Sequence, residues 1–176
     1  EKTGEVFSGV NVSGSEDSDV IYQPVYEVAG LEGAVYEVRA AEDISTPDGT
    51  LRYSKGEVVD TITTSSDGFV KSKLYLGKYE VKEITAPYGM VISGETHTVE
   101  LTYAGQNISV TETSTSFYNE RQKVQVSLAK AIEKDKTFGI GDNGEIKNIS
   151  FGLFADEELV SASGTSIPKD GLLEII

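Results

Sequence analysis

Residues 74–90, LYLGKYEVKEITAPYGM, decide how the chain is to be read. From Tyr79 the residues alternate, so that Tyr79, Val81 and Glu83 share one side of a strand while Glu80, Lys82 and Ile84 share the other. If the first set faces inward, a carboxylate goes with it. Burying an ionised carboxylate costs several kcal/mol unless it is paired or neutralised, so Glu83 would then be protonated, hydrogen-bonded or chemically employed. If Ile84 and Lys82 mark the inner face instead, Glu83 meets water. The alternation alone is compatible with either.

Working outward, the same period of two recurs. Leu31–Ala40 puts Ala34, Tyr36 and Val38 on one parity, Glu57–Thr64 is rich in β-branched residues, and Glu95–Tyr103 and Ile108–Tyr118 alternate again. Thr46–Thr50 and Ser65–Gly68 carry the Pro, Asp and Gly of tight turns. Glu1–Gly9 reads as a short strand, and the acidic run Asn11–Asp19 as a solvated loop in which a calcium site is conceivable. Short strands at this spacing with Gly-rich turns indicate an all-β, Greek-key-like sandwich.

The spacing of Leu31–Ala40 returns in Ile146–Ala155, and Gly49-Thr50 returns as Gly164-Thr165 at the same offset. Two copies of one domain type are expected: residues 1–121 as a complete domain, and residues 122–176 as the N-terminal half of a second, cut short before any counterpart of the Glu83 stretch. Half a sandwich leaves strand edges and core surface open, which predicts greater mobility after Lys123. In Val124–Lys130 the alternation sets Lys130 on the face of Val124, Val126 and Leu128, unless it lies at a strand end and snorkels to water.

Composition removes several function classes. The 176 residues carry a net charge of −14, which argues against a nucleic-acid partner because phosphate binding needs clustered Lys and Arg. There is no cysteine, so disulfides, thiolate zinc sites, cysteine nucleophiles and Cys-Gln thioesters are excluded. No apolar run approaches the roughly 20 residues of a membrane span, so membrane insertion is not expected. Any leader or wall-sorting signal is expected to lie outside these residues. No cofactor is implied.

Gly77–Gly89, written G-K-Y-E-V-K-E-I-T-A-P-Y-G, resembles the G-x-Y-x-(apolar)-x-E-x-x-A-P-x-G signature of collagen-adhesin B-type domains, the SpaA-type pilin domains of Gram-positive surface proteins. Met90 stands where that family has an aromatic. The resemblance implies a prealbumin-like sandwich in which a first-strand Lys and a last-strand Asn join in a spontaneous amide bond, assisted by the Glu of the motif, here Glu83. Ser116-Phe117-Tyr118-Asn119 resembles the family's closing F-x-N and assigns the Asn to Asn119. The first-strand Lys would be Lys2, the only lysine before Lys55. It stands 29 residues before Leu31, against 16 from Lys130 to Ile146, so the first domain would carry an insertion of about 13 residues. Val126-Ser127-Leu128-Ala129-Lys130 resembles the family's V-x-L-x-K and makes Lys130 the corresponding lysine of the second domain.

The implied chemistry needs these residue types. A lysine attacks an amide carbon as the neutral amine, which burial favours, and a neighbouring carboxyl polarises the amide carbonyl and passes a proton to the departing ammonia. One event per molecule makes this maturation rather than enzymatic turnover. The implied role is a stalk or shaft of a wall-anchored, extracellular adhesin or pilin, partnered by neighbouring domains of the same surface protein.

The alternative is a ligand-binding sandwich for glycan or host matrix protein, which an exposed stripe using Tyr22, Tyr26 and Tyr53 would favour. Gly139-x-Gly141-x-x-Gly144 matches a dinucleotide fingerprint formally, but a strand rather than a helix is expected after it. The single histidine, His97, lies in a strand pattern without metal-ligand neighbours, and no metal site is expected.

Overall fold

In a computed structural model the chain is described over residues 1–15, 19–134, 137–139 and 149–176, and its regular elements there are all strands. Two compact units result, one of Glu1–Val6 with Glu27–Gln122 and one of Phe7–Tyr26 with Lys123–Ile176.

In the first unit β3 (Val35–Ala40) lies between β6 (Val58–Thr63) and β7 (Gly77–Thr85), and β8 (Thr96–Leu101) borders β7, all antiparallel. The β4–β5 hairpin (Ile44–Ser45, Leu51–Tyr53) is held by the Thr46–Thr50 turn, where Gly49 at φ 83° meets the left-handed requirement. The second layer pairs the start of β1 (Lys2–Ser13) in parallel with β9 (Phe117–Asn119). Ala34, Tyr36, Val38, Ala40, Ile44, Tyr79, Val81 and Phe117 form the core, with the Tyr36 and Phe117 rings 4.9 Å apart in a tilted pair.

The face of β7 is settled by burial. Tyr79, Val81 and Glu83 are buried, while Glu80, Lys82 and Ile84 are exposed, so the carboxylate does ride on the inner side. Two large apolar anchors on one parity outweigh the single Ile84 on the other, and the register follows them.

In the second unit β10 (Gly152–Phe154) pairs with β13 (Leu172–Ile175), and β11 (Leu159–Val160) with β12 (Ser166–Ile167). These ladders repeat the first unit down to an irregularity. Val38 faces Asp60 and Arg39 faces Val58 with a register shift between them; Leu153 faces Glu174 and Phe154 faces Leu172 with the same shift. The turn bonds repeat too: Thr46 N to Thr50 O at 2.9 Å and Ser161 N to Thr165 O at 2.8 Å. Gly56, at φ 83°, donates to Ala40 O, and Asp170, at φ 59°, donates to Ala155 O. A sequence similarity noted at Ile146–Ala155 thus extends through β13.

Several strand expectations differ from the structure. Asn11–Ser13 continue β1 instead of forming a loop, and β2 (Ile21–Gly30) follows; residues 16–18, where calcium was conceivable, lie outside the described residues. The strand after Leu31 begins only at Val35, and Ile108–Tyr118 yields a strand only from Phe117. Val124–Lys130 is not a strand: Val124, Val126 and Leu128 are exposed, and without a hydrogen-bonded neighbour the alternation has no ladder to enter. Most of the glycine pattern after Gly139 lies outside the described residues. The segment read as a half-sandwich with open edges takes Phe7–Tyr26 into its own compact unit, with Leu172 of β13 paired in parallel with Ile21 of β2.

Candidate functional site: a buried lysine, glutamate and asparagine

Lys2 opens β1. Its backbone N–H donates to Gly68 O at 2.7 Å and its carbonyl accepts from Leu31 N at 3.0 Å, so the Ser65–Gly68 turn fixes where the strand begins. Gly68 has φ 78°, and a Cβ there would stand 2.2 Å from Lys2 O, so no side chain fits. The parallel register sets Lys2 against Phe117 and Gly4 against Asn119. Lys2 and Gly4 share the inner parity of β1, as Phe117 and Asn119 share that of β9. Gly4 leaves the room that Asn119 needs: a Cβ would come 2.6 Å from Asn119 O and 2.7 Å from Leu31 Cδ1.

Glu83 reaches the same point from β7, where it pairs across the sheet with Tyr36. Lys2 is 0% exposed, and Glu83 and Asn119 1% each. Lys2 Nζ donates to Asn119 Oδ1 and lies 3.1 Å from Glu83 Oε1. Asn119 Nδ2 donates to the same Oε1 at 2.9 Å. The three residues form a closed triangle shut off from water.

Burial pushes the Lys2 amine below its usual range, and the hydrogen bond and charge of Glu83 only partly oppose that. The Tyr36 and Phe117 rings stand 6.0 and 5.9 Å from Nζ, adding apolar walls at the outer limit of cation–π range. The Tyr36 phenol is pushed well above its usual range, first by burial and then by the Glu83 charge; its hydroxyl has no hydrogen-bond partner among the described residues. A buried ion pair is a weak source of stability, because desolvating both charges offsets their attraction.

Of the residues singled out in sequence, Lys2, Glu83 and Asn119 come together. Lys130 does not join them: it is exposed, outside any strand, and forms no hydrogen bond or ion pair among the described residues. Tyr22 and Tyr26 belong to the second unit and Tyr53 to the first; all three are half-buried, with Tyr26 against Phe7 and Tyr53 against Tyr75. His97 stacks on Phe117 at 4.0 Å and bonds Thr115 Oγ1 and Glu95 Oε2. Among the described residues no cluster of three or more His, Cys, Asp or Glu could hold a metal.

Two features escaped the sequence. Ser93 donates its backbone N–H to Glu83 Oε2 at 2.7 Å, which leaves Oε1 to face the lysine and the asparagine. No side-chain pattern announces a backbone donor, but the A-P-Y-G run is its signal. That run turns the chain so that Val91 N reaches Glu120 O and Gln122 N reaches Gly89 O, both at 2.8 Å, lacing the loop to the residues just after Asn119. The second concerns orientation. The expected bond from the carboxyl to the asparagine carbonyl is replaced by one from the amide nitrogen to the carboxylate, which sets Glu83 beside Asn119 Nδ2.

The family described as SpaA, prealbumin-like fold domain, matches residues 25–116. A curated relative, the trypsin-resistant surface T6 protein of Streptococcus pyogenes serotype M6, is 25% identical over 118 residues, covering 65% of this chain. The matched region spans 21% of that relative's length. No solved structure matches the chain significantly.

Proposed function

Since the chain belongs to the SpaA prealbumin-like fold domain family, we propose that it is a structural stalk or shaft segment of an extracellular, wall-anchored pilin or adhesin, locked by an amide bond between Lys2 and Asn119. The observation that carries this reading is the water-excluded triangle of Lys2, Asn119 and Glu83. Burial lowers the Lys2 pKa and so favours the neutral amine that attack requires. Nζ adds to Cγ of Asn119, the Cγ–Nδ2 bond breaks, and a proton from Nζ passes through the Glu83 carboxyl to Nδ2, which departs as ammonia. Glu83 ends as it began, so one carboxyl suffices. The fold supplies proximity that would otherwise need an enzyme.

Such a bond would close a loop of about 100 residues, worth roughly 4 to 5 kcal/mol of unfolded-state entropy by analogy with disulfides. The relative's printed name, a trypsin-resistant surface protein, is compatible with a surface location and a protease-resistant build for this chain. Residues 122–176 are read as part of a second domain of the same type, supported by the repeated ladder and bulge. Lys130 takes the lysine role there on its resemblance alone. Neighbouring domains or subunits of the same surface protein are the proposed partners.

Intact mass tests the bond. The folded wild type should be lighter than its sequence by one ammonia, and Glu83→Ala should restore the full mass while keeping the fold. A well-folded wild type of unmodified mass would refute the cross-link and leave only the fold.

A further inference from the structure

Residues 149–176 repeat β3 to β6 of the first unit, and the repeat makes one difference conspicuous. In the first unit β6 is an edge strand among the described residues, since the sheet runs β6-β3-β7-β8. In the second, Leu172, which stands where Val58 does, pairs in parallel with Ile21 of β2. The turns differ in the same way. Ala162 N and Ser163 N, in the turn that repeats Thr46–Thr50, donate to Phe7 O at 2.9 Å and Ser8 O at 3.2 Å.

From these two independent contacts we infer that the second unit presents a strand-accepting surface, made of the β13 edge and the Ser161–Thr165 turn, and that its partner is the hairpin Phe7–Tyr26. This hairpin is the insertion that separates Lys2 from Leu31. It is shaped for the role. The Phe7 and Tyr26 rings lie 6.0 Å apart, and Ser8 Oγ donates to Val25 O at 3.2 Å, so its two legs are tied where they enter the second unit. The turn answers with hydroxyls, Ser161 bonding Ser163 at 3.0 Å and Thr165 at 2.8 Å, which orders it without the carboxylate that Asp48 supplies to the corresponding turn.

The second unit therefore depends on a segment made of the end of β1 and the start of β2, whether or not Lys2 and Asn119 are joined. Hydrogen exchange on the full chain tests it. In Phe7→Ser/Tyr26→Ser, amide protection at Ala155, Ser161 and Gly171 should fall at least tenfold, while Tyr36, Val38 and Val81 keep theirs. Ile21→Pro, at the β2 position that pairs with β13, should lower protection at Leu172 first. Unchanged protection in residues 150–176 of both variants would overturn the proposal, as would an equal loss in both units. The mass deficit of one ammonia, measured on the same samples, reports separately on the cross-link.

Discussion

Lys2 and Asn119 lie 117 positions apart in the chain, yet they meet because β1 and β9 run in parallel with Lys2 opposite Phe117 and Asn119 two residues further on. A diagonal of two residues between parallel strands is spanned by a long side chain reaching toward a short one. Glu83 then closes the triangle from the opposite layer, so the site exists only when both sheets have formed.

The first prediction concerns pH. Asn119→Ala removes the electrophile and leaves Lys2 as a titrating amine facing Glu83. Its folded pKa lies below the unfolded value of 10.5, so between those two values the unfolded state binds more protons than the folded one. Stability of this variant should therefore rise with pH through that window and level off above 10.5. Chemical denaturation at a series of pH values measures it, and the cross-linked wild type, whose amide does not titrate, should lack the rise. A variant whose stability falls as pH increases through this window would contradict the assignment of a desolvated amine.

Gly4→Ala addresses the close approach of the strands. The new Cβ would meet a backbone carbonyl, Asn119 O, at 2.6 Å, and a backbone atom cannot rotate aside. We expect a loss of about 1 to 3 kcal/mol, as for overpacked core positions, and slower amide formation because Asn119 is displaced from Nζ. Thermal melting together with the time course of ammonia loss after refolding separates the two effects.

Much of this was legible in the sequence, for reasons particular residues make plain. Tyr79, Val81 and Glu83 on one parity identify β7, since a strand buried on one face leaves a period of two. Val124–Leu128 carry the same period and form no strand, because periodicity encodes a face and not the neighbour that must complete its ladder. Phe7–Tyr26 was equally hidden. Its acidic centre reads as loop, and its partner lies over 130 residues away in Ala162 and Leu172. Ser93 contributes only a backbone N–H, which any residue but proline possesses.

That last point is testable. Ser93→Pro deletes the donor to Glu83 Oε2, whereas Ser93→Gly retains it. The proline variant should form the amide about tenfold more slowly or worse, a fraction of the roughly 10²–10⁴ that positioned proton transfer contributes. The glycine variant should keep nearly the wild-type rate. Equal rates in both would mean that the loop following Pro87 does not orient the carboxyl.

Force provides the most direct reading of what the bond would do. Tension applied beyond the two ends of the first unit enters at Lys2 and leaves after Asn119, and an amide between their side chains would carry it across without loading anything between. All of β2 to β8, and the Phe7–Tyr26 hairpin with them, lies inside that closed loop. In single-molecule extension the wild-type first unit should therefore add no unfolding step. Glu83→Ala, left with hydrogen bonds alone, should unfold and lengthen the chain by about 3.3–3.6 Å for each residue released, on the order of 400 Å for the loop less the span of the folded unit. A wild-type unit that unfolds with the full release would show that the chain between Lys2 and Asn119 bears the load, and no cross-link could then be present.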